Sequence, residues 1–122
     1  MPSAEHPANQ LARAKLNEYN KERVGQELKK EAMNAFRDEE YRKARELLED
    51  VDTKYGVDVT EEVGIIRERG KRLFNEGNNS WSQGFYLEAE IRWRKSLDCF
   101  LPTEPWYRTV DTQIRRRVGE TP

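Results

Sequence analysis

Apolar residues recur along this chain at three- and four-residue intervals, and no stretch alternates with period two for long enough to argue a strand. Two stretches share a tighter pattern. Tyr41, Ala44 and Leu48 stand at i, i+3 and i+7, and Tyr86, Ala89 and Trp93 repeat that spacing. Each set occupies one helix face, with a small residue between two large ones. The alanine lets a neighbouring helix approach, while the large side chains fill the space on either side. Used twice, such a face predicts an all-α chain of stacked antiparallel helical hairpins, about two of them, with flanking helices.

Breakers divide the pattern into elements. Between Ala8 and Arg37, residues Leu11, Leu16, Tyr19, Leu28, Ala32, Ala35 and Phe36 recur at helical spacing. Gly25 leaves two readings open, one long helix or two meeting there, because an internal glycine costs only about 1 kcal/mol. Pro7 suits a first helical turn. Asp38-Glu39-Glu40 reads as a polar turn, with Asp38 capping a second helix that carries Tyr41, Ala44, Leu47, Leu48 and Val51. Gly56 is placed for a left-handed stop, and Thr60 for the next N-cap, with Glu61 and Glu62 suiting the helix dipole. The third helix is expected from Glu61 to Asn78 or Trp81, with Val63, Ile66, Gly70, Leu73, Phe74 and Gly77 on its inner stripe. After a Ser82-Gln83-Gly84 turn, the fourth runs from Phe85 to about Phe100, and Leu101-Pro102 ends it. Pro105 opens a last helix carrying Trp106, Tyr107, Val110, Ile114 and Val118. Residues 1–7 read as a disordered tail, 8–118 as one helical domain and 119–122 as a second tail.

Composition narrows the chemistry. The 122 residues suit one domain, with 35% hydrophobic and 37% charged residues. A net charge of -1 provides no overall field for nucleic acid or anionic lipid. Cys99, the single cysteine, lies at an apolar helix end and reads as a buried, inert thiol; an intrachain disulfide is excluded. His6, the single histidine, falls in the N-terminal tail. Familiar metal sites and catalytic triads therefore lack parts, and no phosphate loop or dinucleotide fingerprint is present. Glu39-Glu40 and Glu61-Glu62 are adjacent, so they do not face each other as acid–base pairs. The expectation is a protein that is not an enzyme, with no cofactor and no metal. No apolar run is long enough to span a membrane, which makes the cytoplasm the expected location.

Gly77-Asn78, Gly84, Tyr86, Ala89, Trp93, Ser96 and Pro102 resemble the tetratricopeptide repeat, which keeps glycines, tyrosine, alanine, an aromatic, a small residue and proline near those places. Leu28, Ala32, Ala35, Tyr41, Ala44, Leu48 and Val51 form a thinner first copy without a terminal proline. The resemblance covers roughly Gln26 to Pro102. Tyr41 and Tyr86 stand 45 positions apart, against a family period of about 34, the excess falling in the Tyr55–Thr60 connection and the third helix.

What the resemblance implies is a groove lined by the first helix of each hairpin. Carried over by position, its residues are Gln26, Lys29, Met33, Phe36 and Arg37, then Lys71, Phe74, Asn75, Asn78 and Trp81. Lys29, Met33, Phe36, Lys71, Phe74, Asn78 and Trp81 are the expected partner-binding set: cations and amides for a peptide's polar groups, aromatics for an apolar side chain. Lys29 and Asn78 match single positions of the family's carboxylate clamp, while Met33 stands where it has asparagine. The competing reading makes Phe74 and Trp81 interhelix core and Lys29 and Lys71 a solvated face. The expected function is an adaptor that binds a protein or peptide partner. The alternative is a self-associating, homodimeric component of a larger assembly. A nucleic-acid binder ranks third, on Arg92, Arg94 and Lys95 around Trp93; Arg115-Arg116-Arg117 reads as compensation of a helix dipole.

Overall fold

A computed structural model describes residues 7–119, with side chains from Ala8 onward. Five helices follow one another and no strand occurs among the described residues: α1 (Pro7–Arg37), α2 (Tyr41–Tyr55), α3 (Thr60–Ser82), α4 (Tyr86–Asp98) and α5 (Pro105–Arg117). The chain is all-α. α1 packs along α2 and α3 along α4 as two antiparallel hairpins, α2 joins them by touching α3 and α4, and α5 lies against α4. His6 and the expected tails fall outside the described residues, apart from Pro7, which opens α1, and Gly119.

The two hairpins turn in the same way, 45 positions apart. The Glu40 amide donates to the Ala35 carbonyl and the Phe85 amide to the Ser80 carbonyl, both at 2.9 Å. Glu39 donates to Phe36 and Gly84 to Trp81, both at 3.0 Å. This six-to-one closure satisfies the last carbonyls of the first helix, and it needs a left-handed residue. Glu39 (φ 60°) and Gly84 (φ 86°) supply it. The closure also explains why Asp38 is not the cap of α2. The Glu40 amide, two residues on, is bound to the Ala35 carbonyl, and the N-cap is Glu40, without a side-chain bond. Thr60 likewise lies inside α3 rather than capping it. Asp58 accepts from the Thr60 amide at 3.0 Å and from its hydroxyl at 2.6 Å, and those two bonds, the hydroxyl first, hold the Asp58 carboxyl below its ordinary pKa.

Small residues set the helix spacing. Ala44 and Ala89 are fully buried, as their positions between large neighbours require. A Cβ at Gly77 would stand 2.5 Å from the Trp93 ring, and one at Gly70 2.7 Å from Cys99. Gly25, the Gly70 equivalent one period earlier, is not a break. α1 runs through it unbroken, and a Cβ there would meet the Val57 side chain at 2.6 Å. The glycine marks a close approach of the α2–α3 connection. One apolar cluster runs from Ala32 through Leu48, Ile66, Leu73, Trp93 and Phe100 to Ile114. Cys99 is buried in it, and burial pushes its thiol pKa up to about 12.

The repeat is not perfect. Tyr41 is 2% exposed but Tyr86 is 57% exposed. The Tyr41 ring lies tilted against Phe36, with centroids 5.7 Å apart, and its hydroxyl accepts a bond at 3.1 Å from Arg69 of the next hairpin. Among the described residues no further hairpin follows Tyr86, and its ring lies against Trp81, with centroids 4.5 Å apart. The expectation that Tyr86 is a core residue is corrected accordingly.

Candidate functional site

α5 stands over the second hairpin much as α3 stands over the first. The Arg69 guanidinium of α3 lies 5.1 Å above the Phe36 ring, and the Arg117 guanidinium of α5 lies 5.9 Å from the Trp81 ring, Trp81 being the residue one period after Phe36. The C-terminal helix thereby covers the predicted residues on α3. Phe74 meets Trp106 edge-on at 5.7 Å, and Lys71 lies 5.7 Å over the same indole. Asn78 accepts from the Trp93 indole and from Gln113, both at 3.2 Å. Trp81 stacks on Trp93 at 5.5 Å. These four residues are brought together, and what they touch is the chain's own last helix and α4.

Glu104, the N-cap of α5, pins that helix to the body. Its Oε1 accepts from the Leu101 amide at 2.7 Å and lies 3.0 Å from Arg45 of α2; its Oε2 accepts from Arg67 Nε of α3 at 2.6 Å. Burial alone would raise the carboxyl pKa, but the Leu101 amide, Arg67 and Arg45 outweigh it and hold it below the ordinary value. Arg45, 3% exposed, also donates to the Cys99 carbonyl at 3.2 Å.

The predicted residues on α1 have a different environment. Gln26, Lys29, Met33, Phe36 and Arg37 border an open depression of about 670 Å³ between α1 and α3, with Glu62 across it. Phe36 is shared with a second depression along α3 lined by Glu61, Gly64, Ile65, Glu68, Arg69 and Arg72. Gly64 leaves the floor open, since nothing lies within 4 Å of its Cβ position, and Ile65 is 44% exposed. The concave strip therefore has an apolar middle of Met33, Phe36 and Ile65. Its ends differ in charge. At one end Lys29, 3.5 Å from Glu62, and Lys30 stand with Glu61; at the other Arg37, Arg69 and Arg72 outnumber Glu68. The α3 contributors were missed in the sequence. The available signal was Ile65 beside Ile66: adjacent residues point to different sides of a helix, so one of the two had to face outward.

The other candidate chemistry is accounted for locally. Arg92 pairs with Glu88 at 2.6 Å, Arg94 with Glu90 at 3.5 Å and Lys95 with Glu39 at 3.2 Å, so the basic run around Trp93 is matched by carboxylates. Arg115 pairs with Asp111 at 3.0 Å. Among the described residues no group of three or more His, Cys, Asp or Glu side chains is placed to hold a metal ion, and no helix is long and apolar enough to cross a membrane. Fold and site together define an all-helical protein of two repeated hairpins and a capping helix, with an open concave strip between α1 and α3. No protein-family model matches the chain, and searches of curated proteins and of solved structures return no significant match.

Proposed function

We propose that this protein is a non-enzymatic interaction adaptor, similar to a tetratricopeptide domain, that binds a peptide or partner helix in the strip between α1 and α3. The observation that carries the reading is the floor of half-buried Met33 and Phe36 and exposed Ile65, with an arginine-rich end and a charge-balanced end where Lys29 and Lys30 meet Glu61 and Glu62. Apolar floor supplies affinity and the charged ends fix the direction of the ligand. Arg37, Arg69 and Arg72 favour a ligand whose acidic end lies over them. Lys29, Met33 and Phe36 keep their predicted role, while Lys71, Phe74, Asn78 and Trp81 serve to hold α5. The paired Arg92, Arg94 and Lys95 speak for a binder of protein rather than of nucleic acid.

Selection of peptides from a displayed random library tests this. Selected peptides are expected to carry an apolar anchor with acidic residues to one side. Ile65→Asp and Arg72→Glu each lie on the exposed face and leave far-ultraviolet circular dichroism unchanged; each is expected to weaken the selected peptides at least tenfold. Peptides that bind both variants like the parent would refute the site.

A further inference from the structure

The first half of α1 has no place in the core. Every described residue from Ala8 to Arg23 is exposed, and Leu11, Leu16 and Tyr19 are 58%, 56% and 63% exposed. This segment extends past the end of the first hairpin rather than covering it. At 100° per residue, Leu16 and Tyr19 lie on the opposite side of α1 from the stripe of Gly25, Leu28, Ala32, Ala35 and Phe36 that meets α2, whereas Leu11 lies in line with Phe36. Leu16 and Tyr19 therefore cannot turn onto the chain's own hairpin. A solvated helix of that length is marginal in water without a tertiary partner.

We propose that this overhang pairs antiparallel with the same segment of a second copy of the chain. The order of charges beside Leu16 and Tyr19 selects that occupant. Lys15, Glu18 and Glu22 share one edge at i, i+3 and i+7. In a parallel copy the two-fold axis runs along the helices, so this edge meets the partner's opposite edge and Lys15 does not face Glu18. An antiparallel copy sets Lys15 against the partner's Glu18, twice by symmetry. The same register brings Leu16 onto its own equivalent near the two-fold axis. It also lays Ala12 against the partner's Tyr19, small against large. One surface thus supplies both halves of a closed, isologous contact. Leu16 and Tyr19 of each copy make a small interface, so the dimer is a weak, concentration-dependent one.

Sedimentation of the full chain from about 5 to about 500 µM, a range suited to a weak interface, reads the equilibrium. The expected result is a monomer–dimer transition. Leu16→Glu, at a position outside the core, is expected to raise the dissociation constant about 100-fold or more without loss of helical signal. Lys15→Glu alone is expected to raise it about tenfold, and Lys15→Glu with Glu18→Lys to restore it, because the swapped pair again faces opposite charge. Ile91→Lys, on the separate exposed apolar patch of Phe85, Leu87 and Ile91, is expected to change nothing. A chain that stays monomeric throughout, a dimer that survives Leu16→Glu, failure of the double swap to restore pairing, or a dimer lost in Ile91→Lys would each overturn the proposal.

Discussion

Glu104→Gln combines a large loss of stability with almost no change of shape. The side chain of Glu104 is 11% exposed, and its partners come from α2, α3 and the α4–α5 connection. Glutamine keeps an acceptor for the Leu101 amide and removes the charge. Oε1 also faces Arg45, which is 3% exposed, so Arg45 keeps a neutral acceptor there and the Cys99 carbonyl but loses its counter-charge, and its Nε has no hydrogen-bond partner to begin with. Breaking a buried ion pair by removing one partner costs about 3–5 kcal/mol, most of it the stranded charge. Arg67 is 48% exposed and returns to water, so its share is small. With the glutamine dipole still in place, we expect a loss of about 3 kcal/mol, out of about 5–15 kcal/mol for a domain of this size. At roughly 4–5 °C per kcal/mol that lowers the midpoint by about 12–15 °C. Urea titration followed by tryptophan fluorescence measures it. The double change Arg45→Met with Glu104→Leu removes both charges and is expected to recover most of the loss. The pH dependence supplies a separate sign. The Glu104 pKa is depressed on folding, so its contribution is full above the unfolded carboxyl pKa and disappears as pH falls through the folded value. The parent should therefore lose stability on acidification more steeply than the glutamine variant. A loss under about 1 kcal/mol, with identical acid profiles, would refute the buried-cluster argument.

Three other outcomes follow from burial. Ala44→Leu and Ala89→Leu insert bulk into sites with no exposure and should each cost about 1–3 kcal/mol or more by overpacking, read in the same urea titration. Tyr41→Ala should cost about 3–5 kcal/mol, whereas Tyr86→Ala, from a ring 57% exposed, should cost less than about 1 kcal/mol; equal losses would contradict the asymmetry of the two hairpins. With its pKa raised to about 12, Cys99 should react with a thiol reagent at pH 8 about a thousandfold more slowly in the folded chain than in urea.

Much of the fold was legible because its signals are local. The i, i+3, i+7 spacing of Tyr41, Ala44 and Leu48 identified a packed face, and both alanines are buried. Gly56 and Gly84 marked turns that only left-handed residues close easily. The boundaries of α2 and α3 were less accessible. Asp38 and Thr60 have capping side chains, but the six-to-one closure of α1 had claimed the Glu40 amide and the Asp58 carboxylate the Thr60 hydroxyl.

Helical periodicity establishes which residues can share a face, and composition establishes which chemistries lack parts; neither depends on the partner helix. What lies opposite each face is a long-range matter. Phe36 and Trp81 occupy equivalent positions, yet Phe36 borders an open strip while Trp81 is stacked on Trp93, because α5 folds back over the second hairpin and α3 leaves Gly64 over the first. Gly25 read locally as a weak point of a helix and became a contact only when Val57 arrived from 32 residues away. The exposure of Leu11, Leu16 and Tyr19 was decided in the same way: every described residue from Ala8 to Arg23 is exposed, because among the described residues no other helix covers that part of α1.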